Sequence, residues 1–216
     1  LWLVAARNGS RVRNADLALA RVRSANRVEV LRFEASMHDA LVERMHAEQE
    51  LRSAVAEGRL ELAYQPIVRL IDGMPIGAEA LIRWRHATRG LVLAGDFVPL
   101  AEEMGIIHEL GVWALRQASR DLAHLRREVD GLTRFTMSVN VSGHQLEPAL
   151  LDEVRSAAEA GGINPADLVL EVTESVLAEY PERAAEVLRA ARSLGCRVAF
   201  DDFGTGYSSL SYLAQF

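Results

Sequence analysis

The sequence predicts an α/β fold of parallel strands covered by helices, and three observations carry that expectation. From about Leu60 onward, apolar runs of strand length alternate with amphipathic runs of helical period. The helical runs are long enough to return the chain across a sheet, which implies parallel pairing through crossover connections. The strand candidates are apolar on both faces, as strands are when helices cover them. On pattern alone, a TIM-type barrel and an open doubly wound sheet both satisfy these rules.

Three regions separate along the chain. In residues 1–33, Asn14-Ala15-Asp16 opens a short helical stretch, with Asn14 or Asp16 as its cap. Arg27 to Phe33 then alternates polar and apolar residues as a half-buried strand does. One helix and one strand bury too little surface to fold alone. Residues 34–58 read as a polar linker helix with Met37, Leu41, Met45, Leu51 and Val55 along one side and Gly58 as its stop. Such a helix either packs on a neighbouring domain or pairs with its copy in a dimer; the lack of several unbroken heptads favours the first.

The third region, residues 59–216, holds the alternating pattern. Its strand candidates are Leu60–Val68 and Pro75–Trp84, followed by helices Asp96–Glu103 and Glu109–Glu128. Then come strand Phe135–Val141, helix Pro148–Ala160, strand Leu168–Thr173, helix Pro181–Leu194 and strand Arg197–Asp202.

Composition removes several function classes. The formal net charge of -6 argues against a binder of nucleic-acid polymers, which needs surplus positive charge against phosphates. All 24 basic residues are arginine, so no P-loop or Schiff-base lysine exists in this chain. Cys196 is the single cysteine, which forbids a disulfide framework and reads as a small apolar core group. The six histidines show no metal-ligand spacing. Trp84 and Trp113 read as core aromatics, with stacking of Trp84 on a base as the sharper alternative. Gly204-Thr205-Gly206 lacks the rest of a dinucleotide fingerprint and reads as a sharp turn. No apolar stretch is long enough for a membrane helix. The chain lacks an initiator Met and opens on an apolar run, as a fragment entered midway would; a membrane anchor is expected only from an upstream segment.

The chemistry-bearing signal is where the oxygen donors fall. Glu79 sits within an apolar strand candidate, Asn140 ends another, Glu174 follows a third, and a fourth runs into Asp201 and Asp202. Burying an unpaired carboxylate costs several kcal/mol or raises its pKa. Four strands expected to be neighbours, each delivering a carboxylate or carboxamide, are best explained by a shared cation. Oxygen-only donors suit Mg²⁺ or Mn²⁺, and parallel strands deliver their C-terminal ends to one rim. Adjacent Asp201 and Asp202 can serve two ions, a device for in-line attack on a phosphodiester. Strand-end Asp and Asn also cap turns, and for Asn140 alone that role would be the simpler one.

These residues carry a family resemblance. Glu79-Ala80-Leu81-Ile82-Arg83-Trp84 resembles the signature for which EAL domains are named. Tyr64-Gln65-Pro66-Ile67, Ser138 to Ser142, Glu171 to Ser175 and Asp201 to Leu210 stand around it in the family's order and spacing. The resemblance covers about Leu60 to Phe216. It implies a modified TIM barrel that hydrolyses cyclic di-GMP to linear pGpG with Mg²⁺ or Mn²⁺. By resemblance Glu79, Asn140, Glu174 and Asp201 would bind the first ion, and Asp201 with Asp202 the second. Glu79, Asp201 and Asp202 would be catalytic, and Gln65, Leu81 and Arg83 would contact substrate. The segment Asp202 to Leu210 matches the loop that couples dimerisation to metal binding, which implies a homodimer through the EAL domain and a cytoplasmic location. Residues 1–33 are similar to the last helix and strand of a GGDEF, diguanylate cyclase-like, domain.

Departures accompany the resemblance. His144 stands where arginine is common, and Ala20 and Arg23 replace the aromatic and lysine usual in the GGDEF-like stretch. The family supplies a lysine beyond the Asp-Asp pair, whereas this chain has none and ends at Phe216. The chain as given is therefore expected to be inactive and of low stability, with unpaired strand edges. The alternative to a phosphodiesterase is a non-catalytic receptor for cyclic di-GMP. A barrel hydrolase for another phosphate ester would share the acids, with no reason to share Gln65 and the Glu79–Trp84 block.

Overall fold

The computed structural model describes residues 35–179 and 181–201, with side chains from residue 44 on apart from those of 177 and 178. The GGDEF-like stretch of residues 1–33, Asp202 and the loop to Leu210 lie outside the described residues. The chain divides into two compact units, Leu1–Leu51 and Arg52–Phe216. The stretch expected as a linker holds a helix, α1 (Ala35–Ala56). Gly58 ends it in a left-handed conformation (φ 68°) that a side chain would resist, and the Arg59 N–H returns to the Ala54 carbonyl.

The second unit is a mixed sheet with helices. Its elements are β1 (Leu60–Val68), β2 (Pro75–His86), β3 (Gly90–Leu93), α2 (Ala94–Glu103), α3 (Ile107–Glu128), β4 (Thr136–Asn140), α4 (Ala149–Gly161), β5 (Leu168–Thr173), α5 (Glu174–Glu179), α6 (Pro181–Ser193) and β6 (Arg197–Asp201). The strand order is β1-β2-β4-β5-β6, with β3 also paired to β2. β1 and β2 form an antiparallel hairpin, whereas β2, β4, β5 and β6 run parallel. The hairpin turn is held by Arg69, which forks onto the Asp72 carboxylate at 2.7–3.0 Å, and by Gly73 at φ 69°.

Two elements escape the sequence pattern. β3 has only four residues, and β2 extends to His86 to pair with it. The turn between them is shaped by His86, whose Nδ1 accepts from the Thr88 and Arg89 N–H groups. Accepting there leaves the imidazole proton on Nε2. α5 has six residues and starts directly at Glu174, with no loop to announce it.

The expectation that strands are apolar on both faces is corrected. Along β5 the burial alternates, with Leu168, Leu170 and Val172 buried and Val169, Glu171 and Thr173 only half-buried. The buried positions of β2, β4 and β5 (Ala78, Ala80, Met137, Val139, Leu168, Leu170, Val172) join apolar residues of α3, α4 and α6 in one core. Helices thus cover one face, and the opposite face carries the polar residues. Side-chain direction reverses at each residue of a strand, so the two faces are chemically independent.

The helices lie close where small residues permit it. Gly161 of α4 meets Ser119 of α3 so tightly that a Cβ would come within 2.6 Å of the serine Cβ. Ser119 is itself buried and donates to the Leu115 carbonyl at 2.8 Å. Arg126, near the end of α3, grips Asp167 through two bonds of 2.7 and 2.8 Å and donates to the Leu132 and Phe135 carbonyls. That one guanidinium ties the helix to the loop before β4 and the turn before β5. Trp84 is 1% exposed and contacts His86 and Phe97 at ring-centroid distances of 4.7 and 6.0 Å, as a core aromatic. Cys196 is buried, as expected, and burial pushes its thiol up to about 11.

Candidate functional site

The parallel strands bring the expected donors to one face and one end. Register pairs Glu79 with Ser138, Asn140 with Glu171, and Thr173 with Asp201. Alternation within each strand then places Glu79, Ser138, Asn140, Glu171, Thr173 and Asp201 together on the face opposite the helix-covered core. Asn140 and Asp201 are the last residues of their strands, so both stand at the C-terminal rim.

Two of the expected ligands touch. The Asn140 Nδ2 donates to Glu79 Oε1 at 2.7 Å. Glu174 opens α5, one residue past the end of β5. Asp202 lies outside the described residues. Among the described residues no three Asp, Glu, His or Cys side chains are gathered closely enough to hold an ion. What the described residues show is a shared face with one direct contact, between Asn140 and Glu79.

A further residue belongs to this face. Glu171 is half-buried and its carboxyl is pushed above the usual 4.5, by burial first and then by the negative charges of Glu79 and Asp201, against the Ser138 hydroxyl bonded to it. Sequence reasoning took Glu174 as the donor from this strand. The signal for Glu171 was present: in Leu168-Val169-Leu170-Glu171-Val172-Thr173 the glutamate stands out of phase with the buried leucines and valine. Three carboxylates, Glu79, Glu171 and Asp201, and the Asn140 amide share this face, oxygen donors of the kind that suit a hard divalent cation.

The expected substrate-contacting residues flank this set. Gln65 of β1 is directly opposite Glu79 and exposed. Leu81 and Arg83 follow Glu79 at alternate positions of β2 and so share its face. Arg83 donates to the Ile82 carbonyl at 3.0 Å and makes no ion pair among the described residues. The neighbouring Arg85 is instead paired with Glu61. Arg83 is thus the guanidinium left to meet an anion beside the acids.

A cavity of about 340 Å³ opens behind the rim between β2, β4, α2 and α3, and Asn140 and Glu171 line it. Tyr64, next to Gln65, points the other way and donates to Asp121 of α3 at 2.5 Å; burial first and then that carboxylate raise its hydroxyl pKa.

The family profile described as the EAL domain matches residues 48–216. The chain is 41% identical over 205 residues to the cyclic di-GMP phosphodiesterase NbdA of Pseudomonas aeruginosa, covering 94% of this chain and 26% of that protein. It is 39% identical over 204 residues to the bifunctional diguanylate cyclase/cyclic di-GMP phosphodiesterase MucR of the same organism, covering 94% of this chain and 29% of that protein. The chain thus spans about a quarter of the length of these curated relatives. Among solved structures it resembles the PaMucR phosphodiesterase in complex with c-di-GMP, at a TM-score of 0.74 and 38% identity over 79% of this chain and 69% of that one. It also resembles the EAL enzyme Bd1971 bound to cAMP and cyclic di-GMP, at a TM-score of 0.77 and 30% identity over 93% and 53%. The α/β, TIM-like fold read from the sequence is the fold of these structures, and the chain belongs to the EAL domain family.

Proposed function

We propose that this domain binds cyclic di-GMP and, in its full-length protein, hydrolyses one phosphodiester to give linear pGpG. The observation that carries the reading is the row of oxygen donors, Glu79, Asn140, Glu171 and Asp201, on one face of four neighbouring strands, beside Arg83, which makes no ion pair among the described residues. The named relatives NbdA and MucR, and the c-di-GMP complex of PaMucR, support the choice of substrate.

Each residue has a task in this reading. Arg83 holds a non-bridging phosphate oxygen by charge-assisted hydrogen bonds. Gln65, opposite Glu79, and Leu81, two residues beyond it, orient the nucleotide over the acids. Glu79, Asn140, Glu171 and Asp201 are the donors for a divalent cation such as Mg²⁺ or Mn²⁺, with Glu174 at the rim and Asp202 beyond it in sequence as further donors and a second ion as part of the proposal. Such ions supply charge stabilisation at the phosphate and a more acidic water. The Asn140 amide orients Glu79 by donating to one of its oxygens, which leaves the other lone pairs for the cation.

The proposal extends to the surroundings. Residues 1–33 are taken as the end of a GGDEF-like domain, residues 34–58 as the linker helix and residues 59–216 as the EAL part. The functional state is taken as a homodimer through the EAL part, at work in the cytoplasm. No described helix is long and apolar enough to cross a membrane.

The test is incubation of the full-length protein with cyclic di-GMP and Mg²⁺, with chromatographic detection of pGpG, alongside Glu79→Gln. Wild-type turnover that disappears in the variant supports the proposal. Tight binding with no turnover would favour a receptor instead.

A further inference from the structure

The three residues that end β4 and leave it each reach a different element. Asn140 donates to Glu79 of β2, the Val141 N–H donates to the Glu171 carbonyl of β5 at 2.8 Å, and the Ser142 hydroxyl donates to Glu102 Oε1 of α2 at 2.5 Å. The first two bonds join residues of the acidic face. The third leaves that face and ties the strand end to a helix that carries none of the oxygen ligands named above.

Ser142 is held on every side. Its hydroxyl oxygen accepts from the His144 N–H at 3.2 Å, and its own N–H donates to Gln145 Oε1 at 3.1 Å. A hydroxyl has one proton to give, and here it goes to the Glu102 carboxylate. The separation of 2.5 Å is that of a charge-assisted O–H···O⁻ bond. His144 cannot stand in for it, because its Nδ1 lies 3.9 Å from the same Glu102 oxygen. Glu102 pulls from a fixed base: its neighbour Ala101 is fully buried, and Phe97 of the same helix packs edge-on against Trp84 of β2.

We propose that Glu102 is a positioning residue for the cation site: through Ser142 it fixes the end of β4, and with it the place of Asn140 and the bond from Asn140 to Glu79. This role rests on the reading of Glu79, Asn140, Glu171 and Asp201 as cation ligands. The backbone ladder between β2 and β4 stops at Ala80 and Val139, one residue short of Asn140. Past that point the chain is held on the β5 side by the Val141 N–H, and the Ser142–Glu102 bond anchors it to α2, the helix packed on β2. The bond thus takes over where the ladder ends. Ligands already in place bind a cation more tightly than ligands that must be ordered when it arrives.

The test titrates Mn²⁺, without nucleotide, into the full-length protein and follows the free ion by electron paramagnetic resonance. The sites counted are those that disappear in Glu79→Gln. Ser142→Ala and Glu102→Ala should each weaken these sites roughly 10- to 100-fold. The double variant should be no weaker than either single one, because all three lack the same bond. Glu102→Gln keeps an acceptor and Ser142→Thr keeps the hydroxyl, so both should recover most of the affinity. Gly161→Ala perturbs the α3–α4 contact instead and should bind Mn²⁺ as wild type does, with melting temperatures confirming that every variant folds. Single variants of wild-type affinity, or losses that add in the double variant, would overturn the positioning role and leave the cation reading standing. An equal loss in Gly161→Ala would do the same, since it would trace the effect to stability alone. Wild type that binds no more Mn²⁺ than Glu79→Gln would reject the cation reading and the positioning role with it.

Discussion

The Asn140 side-chain amide donates to Glu79 Oε1 at 2.7 Å, and so links two acceptor-bearing strands that lie 61 residues apart in sequence. The bond exists because β2 and β4 are parallel neighbours and because both residues fall on the same phase of the strand alternation.

Replacing Asn140 by Asp would turn this bond into a contact between two carboxylates. Without metal the variant should lose about 1 kcal/mol, a small value because the pair is solvent-exposed. Mg²⁺ should then raise its melting temperature more than that of wild type. Melting curves with and without Mg²⁺ check this; an identical response in the two proteins would count against a cation at these residues.

The carboxyl of Glu171 is pushed above 4.5, chiefly by burial. A raised folded value means that the fold favours the protonated form. The resulting stabilisation is complete below the unfolded value and fades as pH rises through the folded one. Glu171→Gln should therefore be the more stable protein at about pH 8 without metal, and the advantage should vanish towards about pH 4. The same variant should lose stabilisation by Mg²⁺. Thermal melts across that range decide the matter.

Arg126 and Asp167 form a pair whose side chains are 21% and 19% exposed. The bond to Arg126 holds the Asp167 carboxyl below its usual 3.8, and the bond to Asp167 raises the guanidinium in turn. Arg126→Met should cost about 2–4 kcal/mol at neutral pH, because it strands Asp167 and releases two carbonyls. A depressed carboxyl contributes its stability above the unfolded value and loses it as pH falls through the folded one. The gap between variant and wild type, read from urea midpoints, should accordingly narrow in strong acid.

Gly161→Ala should destabilise by about 1–3 kcal/mol, because the new methyl meets Ser119 at the α3–α4 contact. Gly95→Ala, where a Cβ has nothing within 4 Å, should stay within about 0.5 kcal/mol. Equal effects in denaturant titrations would refute the claim that these helices are in tight contact.

Cys196, with its thiol raised to about 11, should resist thiol reagents at about pH 8 until the protein unfolds. Labelling rates in native buffer and in urea give the comparison.

The order and type of the main elements were legible because hydrophobic period is a local property. The apolar runs from Leu60, Phe135, Leu168 and Arg197 became strands, and the helical runs between them became α2, α3, α4 and α6. β3 and α5 were not legible, since four and six residues carry too little periodicity and draw on β2 and β5 for support. The candidate acids could be named from sequence because charge within an apolar run is conspicuous.

Which acid faces which was decided only by the tertiary structure. Phase along β5 turns Glu171 to the polar face, and parallel register sets it beside Asn140, while Glu174 becomes the start of a helix. Ser142 holds Gln145 through its N–H, and its hydroxyl reaches Glu102 of α2 across 40 residues of sequence. Sequence by itself determined the residue types and the rhythm of the fold, which are local quantities. Proximity, burial and the direction of each pKa shift come from strand order and packing, which join residues distant along the chain.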